Sequence, residues 1–198
     1  GGSCELALAG GVNLSLHPYK YRTLCELNFA SHDGKCRSFG AGGDGYVPGE
    51  GVGVVLLKPL AQALRDGDHI HGVIRGSDLN HGGRTSGYTV PNAEAQAQVI
   101  AGALDRSGLS ATRLGYIEAH GTGTSLGDPI EIRGLGKALA ERVPAGWQCP
   151  IGSVKANLGH LESAAGMAAL TKVLLQFKHR QLAPSIHAEP LNPNIDFS

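Results

Sequence analysis

The sequence predicts an α/β protein, and three observations lead to that fold class. Short runs rich in β-branched residues alternate with segments of helical period, and strand and helix alternate three times in the second half of the chain. Glycine accounts for 30 of the 198 residues with no Gly-X-Y repeat, which indicates many tight turns and close backbone approaches. Lys plus Arg and Asp plus Glu both total 17, so no net positive field would hold nucleic acid or an anionic membrane.

The first half of the chain contains two predicted buried strands, Glu5 to Val12 and Val52 to Leu57. Between them, residues 17–51 are rich in turn residues and form a connection that is too long for an ordinary loop of a compact domain. Loops of this length are usually functional or interfacial, so we expect this stretch to have one of those roles.

The next elements are a strand and a helix. Ile70 to Arg75 has the composition of a third strand. A helix is predicted from about Ala93 to Arg106, because Asn92 is a good N-cap and Gly108 a good stop signal. Residues 99, 100, 103 and 104 supply its apolar face.

A fourth strand, Leu114 to Ala119, precedes another helix with a clear start signal. Asp128 is predicted at the N-cap, Pro129 in the first turn and Glu131 at the third position, and the helix extends to about residue 140. We interpret Asp128 as a helix cap rather than as a catalytic residue.

Pro150 to Val154 is the fifth predicted strand, and the helical segment ESAAGMAALTKVLLQ follows it. The small residues of that helix permit close packing, so we expect it to be buried at the centre of the domain. His120 follows the fourth strand and His160 the fifth. Ligands of open α/β sheets bind beyond the carboxyl ends of the strands, so the two histidines are candidate site residues.

Several other classes of site do not fit the sequence. The sequence contains no GxxxxGK[ST], and the segment HGTGTSLG spaces its glycines as GxGxxxG rather than GxGxxG, which argues against a nucleotide site. HExxH is missing, His160 and Glu162 lack the PCxxC of a zinc deaminase, and the four cysteines form no CxxC pair, so we expect no metal site and reduced thiols. His69 and His71 fit a surface or interface pair. No apolar run approaches 18 residues and the start does not resemble a signal peptide, so we expect a cytoplasmic protein without a membrane span.

Two long segments resemble the β-ketoacyl synthase family, the condensing enzymes of fatty acid and polyketide synthesis. They read YIEAHGTGTSLGDP and GSVKANLGHLESAAG, and the segments around them also fall in family order. The run HPYKY, and the pairing of NHGGRTSGYTVPN with LTKVLLQFKHRQLAPSIH, are most similar to ketosynthase domains of modular polyketide synthases. The resemblance implies a thiolase-like fold that is incomplete here: residues 1–58 would end the first βαβαβ half, and residues 59–198 would form most of the second half.

The same resemblance implies the chemistry, a decarboxylative Claisen condensation. His120 and His160 would polarise the malonyl thioester and stabilise the enolate that decarboxylation leaves. Lys155 would pair with Glu118 and favour neutral imidazoles, although a purely structural ion pair is the alternative.

Substrates and partners also follow from the resemblance. Thr122 and Thr124 match positions that bind the phosphopantetheine arm of an acyl carrier protein, with turn chemistry as the alternative for each. We expect no cofactor of the chain's own, acyl and malonyl thioesters on acyl carrier protein as substrates, and a homodimer of the complete domain.

The nucleophilic cysteine of the family lies in a TACSSS-like segment, which this sequence does not contain, so Cys4 is not expected to be the nucleophile. We therefore expect this chain alone not to condense substrates, and its sheets to be incomplete and exposed at their edges. The alternative function is a non-condensing, ketosynthase-derived module that binds carrier protein or completes a dimer.

Overall fold

The structure is a computed structural model, and it describes residues 4–85, 87 and 90–197. The strands are β1 (Ala7–Asn13), β2 (Gly51–Leu57), β3 (Ile117–Glu118) and β4 (Ile151–Gly152). The helices are α1 (Tyr19–Glu26), α2 (Leu60–Asp66), α3 (Ala93–Ser107), α4 (Gly127–Leu139), α5 (Lys155–Leu158) and α6 (Ala165–His179). Within the described ranges, no helix is long and apolar enough to cross a membrane.

β1 and β2 form an antiparallel pair in which Ala7 lies opposite Leu57 and Asn13 lies opposite Gly51. One face of this pair packs on α6 and on the 3₁₀ turn that precedes it. The other face is open, since the side chains of Leu8 and Val52 are each 75% exposed. An apolar cavity of about 630 Å³ lies between β2 and α6.

β3 and β4 pair in parallel, with Ile117 opposite Ile151. The sequence places both strands correctly but makes them too long, because the ladder between them extends over only two residues of each. The prediction of a strand at residues 70–75 is wrong. That segment has no strand partner, and an extended chain becomes a strand only when a neighbour completes its hydrogen bonds.

The helix predicted from residue 93 is confirmed with its caps. Asn92 Oδ1 accepts hydrogen bonds from the N–H groups of Glu94 and Ala95 at 3.0 and 3.2 Å, and Gly108 ends α3 with a left-handed φ of 66°. α3 packs against α4. The prediction of Asp128 as an N-cap is wrong, because α4 begins at Gly127 and places Asp128 inside its first turn.

α6 is buried on one side only, which corrects the expectation of a central buried helix. Lys172 and Gln176 are each 7% exposed, whereas Leu175 is 48% and Phe177 62% exposed. Neither α1 nor α2 was predicted from the sequence. α1 is polar, buries none of its residues and has no side-chain cap, so its local signal is weak.

Residues 28–50 contain no helix and only isolated bridges. These bridges connect Asp44 with Thr124, and Pro48 with His160, so the segment lies against both histidine-bearing loops. The long connection therefore contributes directly to the geometry around the two histidines.

Candidate active site

The fold brings His120 and His160 together beyond the carboxyl ends of β3 and β4, with His160 placed after the short helix α5. Their ring centroids are 5.3 Å apart, and the ring planes are nearly perpendicular at 84°. The Oγ of Ser153, which follows β4, donates to the backbone carbonyl of His120 at 3.1 Å. The two loops are therefore held together by a direct hydrogen bond as well as by the parallel strand pair.

Residues 28–50 close the site from a third side. The N–H of His160 donates to the carbonyl of Val47 at 2.7 Å, and Ser38 Oγ donates to the carbonyl of Gly121 at 2.6 Å. The ring of Tyr46 lies 4.8 Å from the ring of His160, centroid to centroid. Tyr46 and Ser38 were not predicted from the sequence as site residues. The only signal available for them was that the long connection is rich in glycine.

Two carboxylates of α4 hold the backbone of the first histidine loop, residues 119–126 between β3 and α4. Glu131 accepts hydrogen bonds from the N–H groups of His120 and Gly121 at 2.7 and 2.8 Å. Asp128, which is 2% exposed, accepts from the N–H groups of Phe39 and Gly123 at 2.7 and 3.2 Å. Burial raises the pKa of both carboxyl groups, and the backbone donors oppose that shift. The residues predicted to start the helix thus also form the frame of the site.

Glycine is required where the loops pass closest to one another. Gly123 has a φ of 76°, and a Cβ atom there would lie 2.6 Å from the backbone nitrogen of Arg37. Gly159, directly before His160, has a φ of 80°, and a Cβ atom there would lie 2.7 Å from the carbonyl oxygen of Val47. The histidine loops can approach residues 28–50 this closely because these two positions carry no side chain.

The tautomer of His160 follows from its contacts. Its Nδ1 accepts a hydrogen bond from the N–H of Glu162 at 2.8 Å, so the proton of the neutral ring is on Nε2. Burial lowers the pKa of His160 to about 4, and the nearby charges of Lys155 and Lys20 add to this effect. At neutral pH the ring is an uncharged donor.

His120 is an exposed residue by its accessible surface, although neighbouring protein atoms displace part of the water around its ring. This desolvation lowers the pKa of His120 to about 4, and the charge of Lys155 and the neighbouring His160 act in the same direction. Both imidazoles are therefore neutral at pH 7. A pair of neutral imidazoles in a partly dry site can donate hydrogen bonds to an oxygen that acquires negative charge.

Lys155 is the first residue of α5 and is only 3% exposed. Burial lowers its pKa, and the charges of Glu131 and Glu118 oppose that shift. Among the described residues, the ion pair of Glu118 is formed with a different lysine. The predicted direct ion pair between Lys155 and Glu118 is therefore wrong, although the two charges are close enough to influence each other.

Glu118 pairs instead with Lys172 of α6, at 2.8 Å and with both side chains 6% exposed. Tyr116 completes this buried cluster, since its hydroxyl donates to Glu118 at 2.7 Å and accepts from Lys172 at 2.8 Å. The other carboxylate oxygen of Glu118 accepts from the N–H of Val154 at 2.6 Å. Glu118 thus supports the segment between β4 and His160 by accepting a hydrogen bond from the backbone N–H of Val154, and not by pairing with Lys155.

The hydroxyl groups of Thr122 and Thr124 lie 3.2 Å apart, and both residues are half-buried. Thr124 Oγ1 also accepts a hydrogen bond from the N–H of Gly127 at 3.1 Å. The turn chemistry considered as an alternative for Thr124 is therefore present. It leaves the hydroxyl proton available as a donor.

Comparison with known proteins decides the family. Residues 1–63 match the family description "Beta-ketoacyl synthase, N-terminal domain", and residues 71–189 match "Beta-ketoacyl synthase, C-terminal domain". The chain belongs to the β-ketoacyl synthase family. The resemblance predicted from the motifs around the two histidines is confirmed.

Relatives of this β-ketoacyl synthase chain include large polyketide synthases. It is 61% identical over 196 residues to polyketide synthase PksL of Bacillus subtilis and 62% identical over 197 residues to polyketide synthase ThaG of Burkholderia thailandensis. These matches cover 99% of this chain in both cases but only 4% of either relative.

Solved structures confirm the thiolase-like fold. The oxazolomycin ketosynthase domain OzmH KS7 of Streptomyces albus superposes with a TM-score of 0.96 at 59% identity, and covers 98% of this chain and 34% of that one. The ketosynthase from module 6 of the bacillaene synthase of Bacillus subtilis gives a TM-score of 0.94 at 42% identity, with 98% and 35% covered. The chain thus spans about a third of each solved ketosynthase.

Proposed function

We propose that this chain supplies the histidine-bearing part of a ketosynthase that condenses acyl and malonyl thioesters in polyketide synthesis. The observation that carries the proposal is the pair His120 and His160, two neutral imidazoles whose rings lie 5.3 Å apart at the ends of paired strands. Membership of the β-ketoacyl synthase family and the high identity to polyketide synthases support the reaction class.

In the proposed reaction the malonyl thioester loses carbon dioxide, and the electron pair of the broken carbon–carbon bond forms an enolate. Neutral imidazole N–H groups stabilise the negative thioester oxygen as it forms, and Nε2–H of His160 is already oriented as a donor by the contact at Nδ1. The enolate carbon then attacks the acyl thioester, a new carbon–carbon bond forms, and the cysteine thiolate leaves with its electron pair.

The thiol itself is not among the residues placed at the site. Cys36 is 2% exposed and its pKa is raised by burial, which makes it a poor nucleophile. The resemblance assigns the nucleophile to a TACSSS-like segment, and none of the four cysteines of this sequence occurs in such a segment.

The remaining residues support the two imidazoles. Lys155 adds a buried positive charge that favours the neutral form of both rings and attracts the developing enolate. Glu118 holds the backbone at Val154. Thr122 and Thr124 would bind the phosphopantetheine arm, for which two adjacent hydroxyl groups on the loop are suitable.

The proposed function also includes a carrier-protein partner and a dimeric domain. Acyl carrier protein would deliver both thioesters, so that phosphopantetheine arrives with the substrate and the chain needs no cofactor of its own. The complete domain would be a cytoplasmic homodimer, and the chain would divide into residues 1–58 and 59–198. The solved ketosynthases, of which this chain covers about a third, are compatible with such a larger unit.

The test uses the full-length synthase that contains this chain, with acylation by radiolabelled acyl thioester and decarboxylation of malonyl carrier protein measured separately. His120→Ala or His160→Ala should leave acylation largely intact and slow decarboxylation by roughly a hundredfold to a thousandfold, the effect of losing one charge-stabilising donor. His69→Ala, which changes an exposed histidine outside the site, is the matched control.

Loss of acylation with normal decarboxylation in His160→Ala would overturn the enolate role. A full-length protein that acylates and decarboxylates nothing would instead favour the non-condensing module that binds carrier protein.

A further inference from the structure

Glu162 has a backbone conformation that requires support from its surroundings. Its φ is 44°, in the left-handed region where a residue other than glycine is strained. The N–H of this residue donates to Nδ1 of His160. The direction of that N–H depends on the backbone angles at Leu161 and Glu162, so a relaxed backbone at Glu162 would turn it away from the imidazole.

The side chain of Glu162 is held from a distant part of the sequence. Lys20 Nζ lies 2.8 Å from its Oε2, and the same ammonium donates to Oδ1 of Asn13 at 3.2 Å. Asn13 ends β1, is 7% exposed and is itself fixed by a hydrogen bond from its Nδ2 to the carbonyl of Gly49 at 2.7 Å. Lys20 therefore connects Glu162 to a rigid position of the first sheet.

The ion pair is partly protected from solvent, since the side chains of Lys20 and Glu162 are 27% and 30% exposed. Lys20 belongs to α1, a helix that buries none of its residues. The helix contributes little to the core, and Lys20 is where it reaches the residues around His160. A surface ion pair alone stabilises a protein by only about 0–1 kcal/mol, so a role in global stability would be small.

We infer that Lys20 is a positioning residue for the proposed decarboxylation, which holds Glu162 in its left-handed conformation and thereby fixes the hydrogen bond that orients His160. This inference rests on the proposed function. It adds a residue outside the histidine loops to the site. The first consequence is that Lys20 affects the step in which the enolate forms and leaves acylation of the cysteine unchanged.

The kinetic experiment uses the full-length synthase. Lys20→Met keeps the aliphatic stem and removes the charge, and it should lower kcat for decarboxylation of malonyl carrier protein by about tenfold, because small displacements of a reacting group are costly. KM and acylation should stay within about twofold of wild type. Lys137→Met is the control. It removes a lysine whose Nζ lies 3.0 Å from Oε2 of Glu94, in a different ion pair, and its kcat, KM and acylation should match those of wild type.

A rescue variant separates positioning from other effects of the charge. Glycine adopts a positive φ without strain and keeps the N–H, so Lys20→Met combined with Glu162→Gly should recover decarboxylation to within about threefold of wild type. Unchanged kcat in Lys20→Met would overturn the inference. So would a double variant that is as slow as Lys20→Met alone, because the backbone of Glu162 would then not be the link.

A chemical readout does not depend on activity. Diethylpyrocarbonate modifies accessible neutral imidazole nitrogens, and mass spectrometry of the full-length protein gives the rate at each histidine. Lys20→Met should raise the rate at His160 severalfold and leave His69 unchanged, because Nδ1 of His160 loses its donor. An unchanged rate at His160 contradicts the inference. If wild type fails to decarboxylate malonyl carrier protein, the proposed function fails, and this measurement still decides the role of Lys20.

Discussion

Acid solution provides a sharp test of the neutral histidine pair. With the pKa of His120 and His160 both lowered to about 4 by burial, roughly 80% of the molecules at pH 5 still carry two neutral rings. For two ordinary imidazoles with a pKa of about 6.5, the doubly neutral fraction at pH 5 would be roughly 0.1%. Decarboxylation by the full-length synthase should therefore stay within about twofold between about pH 7.5 and 5, and fall only below that.

The same shifts predict how folding depends on pH. A histidine whose pKa is lower in the folded protein binds more protons when unfolded, so the stability contributed by the neutral ring is complete above about pH 6.5. It is lost as the pH falls from about 6.5 towards 4. Circular dichroism at each pH, and recovery of activity on return to pH 7.5, separate unfolding from protonation of the site.

Lys155 provides the second arm of this experiment. Its charge is the next largest cause of the lowered pKa of both histidines after burial, so Lys155→Met should move the acid limb of the rate profile to higher pH. Lys178→Met, at an exposed position in the last turn of α6, should leave the limb in place. A wild-type limb near pH 6.5 would refute the assignment of neutral, desolvated imidazoles, and an unmoved limb in Lys155→Met would refute the role of its charge.

Three further predictions concern stability and substrate use. Lys172→Met leaves the buried carboxylate of Glu118 without its cation and should lower the free energy of unfolding in urea by about 3–5 kcal/mol. Lys137→Met breaks an exposed ion pair and should lower it by less than about 1 kcal/mol. Equal losses of stability in the two variants would contradict a role for the buried pair. Thr122→Ala removes a neutral hydrogen bond and should raise KM for malonyl carrier protein by about tenfold at most, with kcat retained. Gly123→Ala should destabilise the protein by about 1–3 kcal/mol in the same urea assay, because φ is 76° and the added Cβ atom would collide with the backbone of Arg37. Gly136→Ala is the control: a Cβ atom there has no neighbour within 4 Å, so this variant should be neutral or stabilising.

The features that could be predicted from the sequence are those that depend on local chemistry. Asn92 and Gly108 carry strong cap preferences, so the bounds of α3 follow from two residues. The segments that follow β3 and β4 are also expected on one side, since parallel neighbouring strands end at the same edge of a sheet. The final approach of His160 to His120 depends in addition on α5 and on the contact with Val47.

The sequence-based predictions are wrong where contacts between distant parts of the chain determine the role of a residue. Asp128 has the sequence signature of an N-cap, but its carboxylate is used by the N–H groups of Phe39 and Gly123 from two other segments. Glu118 pairs with Lys172 of α6, 54 residues further along the chain, and no local sequence pattern contains that information. Residues 70–75 have strand composition, yet they lack the neighbour that a strand requires.

The acidic turn of α4 has a consequence for domain engineering. Asp128 and Glu131 lie within four residues of one another, yet their carboxylates hold backbone groups of Phe39, His120 and Gly123. A recombination junction between the first histidine loop and α4 would combine the loop of one parent with the supporting carboxylates of the other. Chimeric synthases that exchange the loop and α4 together with residues 28–50 as a single block should preserve the site, even where the parents differ throughout the remaining helices.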